Sequence, residues 1–149
     1  MKLVALALAY VALGVTDLAL RTAGFRRVAR YADAPARVMG PVGPADMARA
    51  RRYAHLIDMA ARHHVLRADC LHRSLVLHAW LRRTGQPCSL RIGVRKHDAE
   101  LHAHAWVELA GHVVNDRPAA VAAFAPLTSV RAATVRALAL DDSRSAAWS

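Results

Sequence analysis

The spacing of apolar residues changes along the chain, and each change marks an element. Lys2–Leu20 (KLVALALAYVALGVTDLAL) is apolar almost throughout, interrupted by Asp17. Its fourteen uncharged residues from Leu3 to Thr16 fall short of the ~20 that span a bilayer. No small-x-small cleavage site precedes a polar region, so the segment reads as a core helix rather than a secretory signal. Arg21, Arg26, Arg27 and Arg30 follow, with Phe25 and Val28 between them, as a basic amphipathic turn. Contact of this region with an anionic membrane surface is the alternative. Residues 33–45 hold three prolines and two glycines and read as a loop. A second helix is expected over 46–67. A third runs from Asp69–Cys70 to Arg83, with Asp69 as N-cap, two arginines in the last turn, and Gly85 and Pro87 as the stop.

After Pro87 the period becomes two. Ser89–Lys96 sets Leu90, Ile92 and Val94 on one face and Arg91, Gly93 and Arg95 on the other. Leu101–Leu109 does the same, with Leu101, Ala103, Ala105, Val107 and Leu109 opposite His102, His104, Trp106 and Glu108. Ala110–Gly111 forms a tight turn and His112–Asn115 the returning strand, which ends at Asp116. An Ala-rich helix is expected near 127–140, followed by a polar tail. Helices followed by an antiparallel meander make the fold class α+β.

Composition narrows this picture. The 149 residues suit one domain with a core of its own, and 55% hydrophobic residues exclude a disordered chain. Two cysteines, Cys70 and Cys88, exclude a disulfide scaffold and CxxC zinc modules, and point to a reducing compartment, the cytoplasm. The net charge of +10 suits nucleic acid, an anionic surface or an acidic peptide partner. Aromatics are only 5% and no RNP, KH or zinc-finger pattern is present, which speaks against a nucleic-acid reader.

Walker, G-x-S-x-G, HExxH and dinucleotide motifs are absent. What remains is Cys70 opening a helix, with His104 on a strand and Asp116 at the end of its hairpin partner. A helix N-terminus and a neighbouring imidazole favour thiolate, and an acid on the far ring nitrogen orients the imidazole. That is a cysteine-nucleophile layout. An inert buried thiol at a helix start is the plainer alternative. His102, His104 and His112 could instead share a metal, although no fourth ligand stands at a sensible spacing. Trp106 is a lid over His104 or simply core, and Cys88, with no helix behind it, reads as structural.

The ordered run CLHRS, Gly93–Val94, AHAWVE (Ala103–Glu108), Asn115–Asp116 and FAPL (124–127) resembles the transglutaminase-like leader peptidases of lasso-peptide biosynthesis. These are the protease half of the B protein, similar to the microcin-processing enzyme. The resemblance, which spans 70–127, implies a papain/transglutaminase-like fold and a Cys70–His104–Asp116 triad. It implies one domain over 1–149, comprising a helical part (1–68), a catalytic core (69–118) and a C-terminal helix and tail (119–149). It further implies cleavage between the leader and core of a ribosomal precursor peptide, together with a separate leader-recognition protein and an ATP-using macrolactam cyclase. No cofactor is called for. A non-catalytic binding module with a degenerate triad and a transglutaminase-type acyl transferase are the alternatives.

Overall fold

The structure, a computed structural model, describes residues 2–33, 40–98 and 100–127. The helix expected over 127–140 lies outside these residues, apart from Leu127. Four helices come first: α1 (Lys2–Ala23), α2 (Phe25–Ala32), α3 (Pro44–Arg62) and α4 (Cys70–Arg83). Strands β1 (Cys88–His97), β2 (Glu100–Leu109) and β3 (His112–Val113) follow, then α5 (Pro118–Val121) and β4 (Ala125–Pro126). The class is α+β, as the pattern predicts. The sheet order is β3-β2-β1-β4 with every pairing antiparallel. The meander is therefore present, and β4 adds a fourth strand on the far edge. Two residues are too few for β4 to show a period of two in the sequence.

Local chemistry accounts for the helix ends. Gly43 N–H donates to the Asp46 carboxylate at 3.0 Å, and Pro44 occupies the first turn. Asp46 therefore sits inside α3, which starts two residues before the expected 46. The same carboxylate accepts from Gln86 Nε2 at 3.1 Å, which ties the start of α3 to the α4–β1 turn. At its other end α3 stops at Arg62 rather than 67. His64 turns back instead, its Nε2 lying 3.1 Å from the Tyr10 carbonyl, and Gly14 leaves room for the ring.

The N-terminal helix differs from the core-helix expectation. Its inward face is made of Ala9, Leu13 and the carboxylate of Asp17. Val4, Leu8, Val11, Val15 and Leu18 form an outward stripe, 57–63% exposed. The inward face, with Leu6 and Tyr10 beside it, packs against α3 and α4. Leu3–Ala23 is also long and apolar enough to cross a membrane by length and composition. Gly24, at φ 77, breaks the chain into α2, a true short helix where only a turn was expected.

The core lies between the helices and one face of the sheet. Leu13, Ile57, Leu77, Leu81, Val107 and Leu109 are its largest buried side chains. A polar bond crosses this layer: Ser74 Oγ, wholly buried on α4, donates to the Ala105 carbonyl of β2 at 2.9 Å.

Candidate active site

Cys70 is the first residue of α4, and its neighbours fix that end of the helix. The Asp69 carboxylate caps it, accepting from Leu71 N (3.0 Å) and His72 N (3.1 Å). His72 Nδ1 lies 2.7 Å from the same carboxylate, and its Nε2 lies 3.3 Å from Asp17 of α1. Arg73 donates through Nη1 to Asp58 of α3 (2.9 Å) and through Nε to the Asp69 carbonyl (3.3 Å). The helix start is thus pinned to α1 and α3 together.

The other half of the site is the β2–β3 hairpin. Ala110 (φ 49) and Gly111 (φ 77) make a two-residue turn with both residues left-handed, the geometry that matches strand twist. The ladder beyond it is short. Val114 N donates to the Val107 carbonyl at 3.0 Å, and then the Asn115 side chain replaces backbone, its Oδ1 accepting from Val107 N at 2.8 Å. Asn115 Nδ2 donates to Ser74 Oγ at 2.9 Å. Extended, the strand register would set Asp116 across from Ala105. The departure of the chain at Asn115 brings it instead to His104, with Asp116 Oδ2 2.5 Å from His104 Nε2.

Cys70, His104 and Asp116 line one cleft of about 360 Å³. His104 Nε2 is taken by Asp116, so Nδ1 is the ring nitrogen left for a partner. Its ring is held by aromatic neighbours, with the Phe124 centroid at 5.1 Å and the Trp106 ring stacked at 6.1 Å. Both readings of Trp106 hold at once: it is 4% exposed and it braces His104. Its Nε1 donates to Glu108 at 3.0 Å, and Glu108 pairs with Arg91 at 3.0 Å. Gly93 stands opposite His104 in the register, on the face that the alternation assigns to both. His102 lies away from this cluster, beside His97 and Glu100.

The resting thiol differs from the expectation of a helix-stabilised thiolate. Burial raises the Cys70 pKa above 9.0, and the Asp69 charge adds to it; a hydrogen bond from the Ala105 backbone and the charge of Arg73 oppose them without prevailing. Burial is the main reason, and the cap contributes, since the carboxylate that starts α4 also sits beside the sulfur.

A second Cys–His–Asp trio lies toward the far end of α4. Cys88 Sγ is 3.4 Å from His78 Nδ1, and His78 Nε2 is 3.3 Å from Asp33. Burial pushes the Cys88 thiol up to about 11 and holds the His78 pKa down. Cys88 is 5% exposed and packs in the core, as its structural reading expects. Of the two trios, the one at Cys70 lines the cleft. Sequence spacing missed the roles of Ser74, Asn115 and Asp58, although Ser74 and Asn115 stand within motifs that it singled out.

A family model, described as the transglutaminase-like superfamily, matches residues 12–129. The chain belongs to that superfamily, which includes cysteine peptidases and acyltransferases. No curated protein and no solved structure matched the chain.

Proposed function

We propose that this protein is a cysteine peptidase with Cys70 as nucleophile, His104 as general base and then acid, and Asp116 as the residue that orients His104. The observation that carries this reading is the 2.5 Å contact between His104 and Asp116 on the wall of the cleft that Cys70 opens onto. Because the resting thiol is held protonated, His104 Nδ1 takes its proton as the sulfur attacks the scissile carbonyl. The thioester forms as the C–N bond breaks, and the proton passes from His104 to the leaving amine. Water then attacks the thioester, again with His104 as base, and releases the acid and the free thiol. Asp116 favours the Nε2–H tautomer and stabilises the imidazolium. Asp69 takes the Leu71 and His72 amides, so the Cys70 N–H is the first-turn donor left for the oxyanion.

The substrate reading rests on the motif run from Cys70 to Leu127. It makes the chain a leader peptidase that cuts a lasso-peptide precursor in the cytoplasm. A separate leader-recognition protein presents the precursor, and the macrolactam cyclase acts on the product. The test is mass spectrometry of a precursor peptide incubated with this protein and the recognition protein, with Cys70→Ala alongside. Hydrolysis between leader and core, abolished in Cys70→Ala, is the expected result. A product carrying an added amine would mark an acyl transferase. An intact precursor with the recognition protein present would refute the peptidase.

A further inference from the structure

Three arginines, Arg62, Arg73 and Arg117, line the cleft that holds Cys70. Two carboxylates, Asp58 and Asp116, line it with them. Asp116 is committed to His104. Asp58 is shared, accepting from Arg62 Nη2 at 2.6 Å and from Arg73 Nη1 at 2.9 Å. Arg73 is anchored further by the Asp69 carbonyl, so it belongs to the scaffold of α4. Arg62 is held by one contact and its side chain is 71% exposed. Arg117 directly follows Asp116 and is exposed; its backbone N–H donates to Asp116 Oδ1 at 2.6 Å, and no carboxylate of the described residues pairs with its guanidinium. The cleft therefore carries more cationic charge than its own acids satisfy, and the surplus lies beside the reacting centre.

We infer that this wall of the cleft is a carboxylate subsite, in which Arg117, assisted by Arg62, receives an acidic group of the substrate next to the scissile bond. A guanidinium presents two parallel N–H donors that match a carboxylate, and a cleft screens the pair less than open surface does. The inference rests on the peptidase reading and names what that site selects. The carboxylate has two sources, an Asp or Glu side chain flanking the cut or the C-terminal carboxylate of a short product-like peptide.

The test uses peptides that differ only in Asp against Asn at each position flanking the cut, and in a free against an amidated C-terminus. Wild-type protein, Arg117→Gln, Arg117→Lys and Arg62→Gln are compared for kcat/KM. Binding of the same peptides to Cys70→Ala is measured by fluorescence anisotropy. Wild type is expected to favour the acidic peptide by about two- to fivefold, the range for an exposed ion pair. That ratio falls toward one in Arg117→Gln, falls by less in Arg62→Gln and is partly restored in Arg117→Lys. A preference confined to the free C-terminus assigns the subsite to that carboxylate. Equal binding of acidic and neutral peptides to Cys70→Ala overturns the subsite, whether or not any peptide is cut. Tighter binding of acidic peptides with no cleavage by wild type leaves the subsite standing and overturns the peptidase.

Discussion

Gly93→Ala tests how far the aromatic brace of His104 depends on close packing. A Cβ at residue 93 would stand 2.8 Å from Phe124 Cβ and 2.8 Å from Trp106 Cη2. Carbon atoms rest at roughly 3.5–4.0 Å, so each neighbour must give way by about 1 Å. Two opposing effects set the cost. Overpacking a filled site costs about 1–3 kcal/mol, while replacing a strand glycine returns roughly 0.5–1 kcal/mol of backbone entropy. The expected net destabilisation is about 0–2.5 kcal/mol, a fall in Tm of up to roughly 10 °C for a chain of this size. The functional effect should be larger, because a shift of about 1 Å in a reacting group can cost on the order of a hundredfold in rate. Trp106 and Phe124 both brace the His104 ring, so kcat should fall while KM changes little. Thermal unfolding followed by circular dichroism and steady-state cleavage kinetics read the two effects. The second-site responses are specific. Trp106→Phe removes Cη2 and should recover part of the loss. Phe124→Ala keeps the offending Cβ and should recover none of that contact. A Gly93→Ala protein with wild-type Tm and wild-type kcat would refute the reasoning.

Two further predictions concern the polar framework. Asn115→Asp keeps the shape and the acceptor for Val107 N but loses the donor to Ser74 Oγ, whose only hydrogen already goes to the Ala105 carbonyl. With Ser74 wholly buried, a carboxylate facing its lone pairs should cost about 2 kcal/mol and lower kcat by loosening Asp116; urea unfolding at neutral pH with the mutant unchanged in stability would contradict this. For His72, burial lowers the pKa, but the Asp69 hydrogen bond and charge, with Asp17, raise it above 6.5 overall; Asp69 is lowered below 3.8 despite its burial. A raised histidine pKa stabilises fully below the unfolded value and fades as pH climbs through the folded one, whereas a lowered carboxylate pKa stabilises above 3.8 and fades as pH falls through its folded value. The stability lost in His72→Gln should therefore be greatest near pH 5–6 and shrink by pH 9, and a urea-midpoint difference constant across that range would count against the ion pair.

Much of the site is written in local sequence because its elements are local. Asp69 caps the helix that Cys70 opens, through bonds to amides two and three residues on. The Ala110–Gly111 turn fixes a hairpin register that carries Asp116 to within one residue of His104. Alternation along β1 and β2 assigns Gly93, His104 and Trp106 to one face, and the observed pairing of Gly93 with His104 agrees. Periodicity of 3.6 or 2 reports which side of an element is apolar, and a cap reports where a helix begins.

Tertiary structure decided what periodicity does not carry. An apolar α1 is compatible with burial of any stripe, and only packing against α3 and α4 chose the one with Ala9, Leu13 and Asp17, leaving Val4, Leu8, Val11, Val15 and Leu18 outside. Two Cys–His–Asp trios can be drawn from these residues, and only the position of the cleft separates the one at Cys70 from the one packed around Cys88. Asp58 and Arg73 are fifteen residues apart and bond only because α3 and α4 lie side by side. Burial raises the Cys70 thiol, and the carboxylate that makes Asp69 a good cap adds to it. Local preferences lay out the elements one at a time. The charge of the cleft and the state of its thiol belong to the assembled molecule, since desolvation and long-range pairing exist only once the chain has folded.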